Sequence, residues 1–147
     1  MNELRLLKIT DVDVQRNQIH IRLGKGKKNR YVGLSKFIAR KLPLYMQEVK
    51  PQVYLFEGLT SAEPMGERSI QYIITEALQK TNIKKQVSMH TLRHSYATHL
   101  LEDGIDIHTI QHLLGHADVM TTLVYLHVAQ VKIKPAHSPL DSLYNIK

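Results

Sequence analysis

Apolar and polar residues change their period along the chain, and the changes divide it into a small sheet followed by helices. Residues 2–8 (NELRLLK) put Leu4 and Leu7 on one helical face and read as the last turns of a helix. ITDVDV and QIHIRL then alternate apolar with polar residues on either side of Arg16 and Asn17, the pattern of two strands and a turn. GKGKKN supplies the glycines of another turn and RYVGL a further strand, so the expected sheet is antiparallel with two or three strands. From Ser35 the period becomes helical. Phe37, Ile38, Leu42, Tyr45, Met46 and Val49 fit one helix, with Pro43 expected to kink or divide it and Pro51 to end it. After the short apolar run VYLF and a Gly-, Ser- and Pro-bearing loop over 57–66, a helix from about Glu67 to Thr81 turns Ile70, Ile73, Ile74, Ala77 and Leu78 inward. The next covers His90–Glu102, offers Leu92, Tyr96, Ala97 and Leu100 to the core, and is stopped by Gly104. Asp106 is placed to cap a short helix ending at Gly115, and Asp118 to cap one running through Tyr125. The fold class that follows is α+β, mainly α, with its small antiparallel sheet near the N-terminus.

Composition narrows the partner. A chain of 147 residues is one domain's worth, and 43% hydrophobic with 22% charged residues is an ordinary globular balance. No apolar run approaches the ~20 residues of a membrane span, and no signal-peptide pattern opens the chain, so no membrane partner is expected. The absence of cysteine excludes disulfides and thiolate zinc sites and fits a reducing cytoplasm. Lys and Arg number 20 against 13 Asp and Glu, giving +7 at pH 7. Arg22, Lys25, Lys27, Lys28 and Arg30 crowd into one stretch, which favours nucleic acid over a merely solvated basic surface.

The candidate chemistry lies between His90 and Tyr125. His90 and Arg93 share a helical face close to an N-terminus, where free N–H groups and the positive dipole end suit phosphate. Arg93 adds a fork of donors for two phosphate oxygens. The plainer alternative is a capping histidine and an arginine paired with an acid. In LLGH, Leu113 and Leu114 bury the short helix, Gly115 breaks it, and His116 leaves the turn free to point at a site or to be satisfied within the loop. Tyr125 is either a nucleophile or an ordinary aromatic; with a free pKa near ~10 it needs a base or nearby positive charge to attack. Lys25, between two glycines, is a candidate proton donor to a leaving alkoxide, or a solvated turn lysine. His108, His112 and His116 recur every fourth residue, but Gly115 interrupts the helix and no HExxH accompanies them, so no metal site is expected.

HTLRHSYATHLLEDG, IQHLLGH and TTLVYLHV, in this order and spacing, resemble the tyrosine recombinase (phage integrase) family, in particular its Xer-like and transposon-type members. GKGKKNRYVGLS is similar to the family's β-hairpin, and ELRLLKITDVD to the segment after its first arginine motif. The resemblance implies site-specific recombination or integration of double-stranded DNA through a 3′-phosphotyrosine, without metal, ATP or cofactor. It implies Tyr125 as nucleophile, Arg93 and His116 on the phosphate, His90 as general base or proton shuttle, and Lys25 as general acid. Glu3 and Leu4 match the end of the motif that carries the family's first catalytic arginine, which places that arginine before Met1. The expectation is therefore a catalytic domain over 1–131 lacking its first helices, weakly active or inactive alone, with Met1 an internal methionine of a longer protein. Residues 132–147 form a tail whose Leu140, Leu143, Tyr144 and Ile146 plug a neighbouring protomer or fold back. Self-association, or association with full-length protomers on DNA, goes with this. The alternative is a catalytically inactive DNA-binding or regulatory fragment of a recombinase.

Overall fold

The computed structural model describes residues 1–22, 29–127 and 129. Lys25, Lys27, Lys28 and the tail plug residues lie outside them. Helix α1 (Asn2–Arg5) is shorter than its periodicity suggests, and Leu7, just beyond it, is buried. Ile9–Asp11 is a 3₁₀ turn where alternation predicted strand. Asp11 decides this, because its carboxylate accepts the Lys8 amide 3.0 Å away and closes the turn. Strands β1 (Val12–Asp13), β2 (Gln18–Ile21) and β3 (Arg30–Gly33) then form an antiparallel sheet in the order β1-β2-β3. In this register His20 faces Tyr31, and their rings stack 4.7 Å apart on the outer surface. Ile19 and Ile21 point the other way, into a core of Leu7, Leu42 and Leu55.

Helix α2 (Lys36–Val49) covers that core; Ser35 caps it by accepting the Ile38 amide. Pro43 sits inside and does not divide it. The proline removes one amide donor, while Leu42, Tyr45 and Met46 keep the helix seated on the sheet. Phe37, Ile38 and Val49 lie on its exposed side. Glu57 shapes the following loop by accepting the amides of Gln52, Val53 and Tyr54. Along α3 (Glu67–Gln79) only Ile70 is fully buried, and Ile73 faces solvent.

The second core belongs to the C-terminal helices: α4 (Met89–Glu102), α5 (Ile107–Leu114), α6 (Met120–Leu123) and the 3₁₀ turn Val124–His127. Ala97, Leu101, Ile110, Leu114 and Tyr125 cluster there. On α4 the buried face is Ala97 and Leu101, whereas Leu92 and Tyr96, expected to face the core, are exposed. Helix α5 starts and stops as its sequence dictates. Asp106 accepts the His108 and Thr109 amides, and Gly115 takes a left-handed φ of 69° at the other end.

Asp106 makes the start of α5 sensitive to acid. The Thr109 hydroxyl first, and then the Thr109 amide, hold its carboxyl below the ordinary range. A depressed folded pKa contributes stability that is fully present above the ordinary carboxylate pKa and is lost as pH falls toward the folded one. Thermal unfolding followed from pH 6 to pH 2 should therefore show a stability loss that Asp106→Asn makes shallower. An unchanged profile in the variant would contradict this role for the cap.

Candidate active site

Of the residues named from the sequence, Arg93 and His116 meet at the C-terminal turn of α5. Arg93 projects from α4, one turn from its capped start, and its Nη2 donates to the Leu114 carbonyl. Gly115 then reverses the chain, and the His116 amide bonds back to the Gln111 carbonyl at 3.1 Å. The His116 ring is fixed through Nδ1, 2.9 Å from the hydroxyl of Thr122, a residue with no exposed surface. Thr122 precedes Tyr125 by one helical turn. A connected series of contacts thus runs from Arg93 through the Leu114–His116 turn to the segment bearing Tyr125. His90 sits exposed in the first turn of α4, on the same helix as Arg93.

Tyr125 is not at the surface. It is only 4% exposed, lies within the cluster of Ala97, Leu101, Ile110 and Leu114, and meets the His94 ring edge-on at 5.2 Å. Nothing in the local sequence pattern marks this contact. That pattern also passed over Thr122, whose partner His116 lies six residues earlier in the chain. Lys84 and Lys85 were passed over too. With Ser88 and Thr91 they line a groove of about 730 Å³ between α3 and the start of α4.

The basic stretch splits into different environments. Arg22 donates Nε to Asp11 and keeps 54% of its side chain exposed. Arg30 does not fit the expectation of a DNA contact. It is 8% exposed, and its guanidinium is occupied inside the fold by Glu3 and by the Leu113 and Leu114 carbonyls. Arg5 lies elsewhere, donating to the Met65 carbonyl at 2.8 Å and pairing with Glu67. The sequence thus grouped residues by proximity along the chain, and the fold separates them by partner.

Among the described residues no helix is long and apolar enough to cross a membrane. Comparison with known proteins agrees with the order of motifs. Residues 1–132 match the model of the phage integrase family. A tyrosine recombinase of Thermosipho africanus (strain TCF52B) is 38% identical over 130 residues, covering 88% of this chain and 45% of that protein. Tyrosine recombinase XerD of Staphylococcus aureus (strain N315) is 34% identical over 145 residues, covering 94% of this chain and 48% of its own length. The chain spans about half the length of the curated relatives it matches. Among solved structures, that of XerA recombinase superposes with a TM-score of 0.78 at 35% identity, over 98% of this chain and 51% of the other. XerH site-specific recombinase bound to difH substrate, in a pre-cleavage complex, gives 0.74 at 26% identity, over 99% and 40%. With its mainly helical fold and small antiparallel sheet, the chain belongs to the phage integrase family of tyrosine recombinases and has the fold of their catalytic domain.

Proposed function

We propose that this domain cleaves and rejoins double-stranded DNA in site-specific recombination, through a covalent bond between Tyr125 and a 3′-phosphate. The observation that carries the reading is the contact series Arg93–Leu114–His116–Thr122, which ends one turn before Tyr125. In the forward step the Tyr125 phenolic oxygen bonds to phosphorus, the bond to the 5′-oxygen breaks, and Lys25 protonates the leaving alkoxide. His90 takes the phenolic proton, and a 5′-hydroxyl later attacks phosphorus to release the tyrosine. Arg93 and His116 hold the non-bridging oxygens as charge develops on them. No metal or cofactor enters these steps. Arg22, with Lys25, Lys27 and Lys28, follows the DNA backbone. The setting is the cytoplasm, and the partners are DNA and further recombinase protomers.

Burial of Tyr125 supports a second reading, a non-catalytic DNA-binding or regulatory piece. A phenol 4% exposed cannot meet a phosphate until the Val124–His127 turn moves. The family site also uses two arginines. Here Arg5 and Arg30 are held by Glu67 and Glu3 respectively. Removing one donor from a preorganised anion site lowers rate by roughly 10²–10³. The 147-residue chain, incubated with a nicked duplex that traps the intermediate, should therefore accumulate a phosphotyrosyl adduct slowly. Salt-sensitive binding with no adduct after prolonged incubation would instead support the second reading.

A further inference from the structure

Arg30 makes four side-chain hydrogen bonds inside the fold, and the steps above do not use it. Its Nη1 and Nη2 form a two-bond fork with Glu3, at 2.9 and 2.8 Å. Nε donates to the Leu113 carbonyl at 3.0 Å and Nη2 to the Leu114 carbonyl at 3.4 Å. These carbonyls close α5, the end of a helix that carries partial negative charge and welcomes cations. Arg93 donates to the same Leu114 carbonyl from the other helix. Two guanidiniums therefore meet on the turn that aims His116.

Gly115 fits this arrangement for two reasons. Its φ of +69° disfavours any side chain, and a Cβ there would stand 2.7 Å from Arg30 Nη1. The turn is built around the guanidinium plane. Glu3 cancels the charge of Arg30, so Arg30 adds donors to the turn without adding net positive charge. Lysine has the charge but no fork, and could not hold Glu3 and two carbonyls in this plane.

We infer that Arg30, anchored by Glu3, is a positioning residue for the strand-transfer site. It locks the Leu113–Gly115 turn from the sheet side, so that His116 and Arg93 face one phosphate. The inference rests on the reading that His116 and Arg93 bind that phosphate, but its test does not need activity. Side-chain NMR on the DNA-free chain should show the His116 ring and Arg93 Nε–H signals moving in Arg30→Lys, with the rings of His20 and His99 unmoved. DNA affinity at fixed salt should stay within about two-fold of the original.

Unmoved His116 signals in a folded variant would overturn the inference, and so would equal movement of all the histidines, which marks general loosening. An affinity loss of about ten-fold, with a salt slope shallower by about one, would overturn it in favour of a direct phosphate contact. Should Arg30→Lys fail to fold, Glu3→Gln keeps the shape of the fork's partner while removing its charge, and the same signals decide. Failure of the unmodified chain to bind DNA would count against the strand-transfer reading alone, and the His116 signals would still decide the positioning.

Discussion

Replacing Tyr125 with phenylalanine is expected to abolish covalent attachment to DNA while leaving the domain folded. The substitution removes a single oxygen and keeps the ring that packs with Ala97, Leu101, Ile110 and Leu114. A change confined to one hydroxyl is worth about 1 kcal/mol, so the melting temperature should move by no more than about 2–4 °C. The covalent product should vanish, because in the proposed reaction the phosphoryl bond forms to that oxygen. Denaturing electrophoresis of a labelled nicked duplex reads both variants side by side. An adduct that persists in Tyr125→Phe would point to another phenol. Tyr96 is the obvious rival, since it is 46% exposed and lies one turn along α4 from Arg93.

The largest effect on stability is expected from Ile110→Ala. Ile110 has no exposed surface and sits among Ala97, Leu101, Leu114 and Tyr125. Truncating a fully buried isoleucine removes its transfer energy and leaves a cavity, together about 2–5 kcal/mol. At about 2–4 °C per kcal/mol for a chain of this size, the melting temperature should fall by roughly 5–15 °C. The same cluster seats the Tyr125 ring, so the variant should also loosen the resting position of the proposed nucleophile. Chemical denaturation checks the first claim, and fluorescence quenching of the tyrosines the second. A loss below about 1 kcal/mol would mean that the second core is not organised around this residue.

Several features of this domain were legible in the sequence because they depend on neighbours in the chain. Asp106 and Gly115 mark the ends of α5 through cap chemistry, and the alternation of QIHI places Ile19 and Ile21 on one face of the sheet. Other features depend on distant partners. Apolar residues are spread around α4, so periodicity offered Leu92, Tyr96, Ala97 and Leu100 to the core without Leu101; packing against α5 buries Ala97 and Leu101 and leaves Leu92 and Tyr96 exposed. Ile9–Asp11 alternates like a strand, yet the Asp11 carboxylate folds it into a turn. The same division runs through the candidate site. His90, Arg93, His116 and Tyr125 stand at recognisable spacings, and Arg93 and His116 meet at the same turn. Arg30 reads as one more cation of a DNA-facing stretch, but its carbonyl partners lie 83 and 84 residues away. Burial of Tyr125 has no local signature either. It comes from the alignment of three helical segments around a single ring.

The central claim is that Tyr125 attacks a phosphate held at the turn of Arg93 and His116. Its most direct test offers the chain a nicked duplex whose scissile phosphate is replaced by an uncharged methylphosphonate. A linkage with one negative charge fewer needs less help from a second guanidinium, so chemistry limited by charge stabilisation should accelerate. The adduct should form faster than on the ordinary phosphate, map by peptide mass spectrometry to Tyr125 and be absent in Tyr125→Phe. DNA that binds but yields no adduct on either linkage, or an adduct mapped to a different tyrosine, would contradict it.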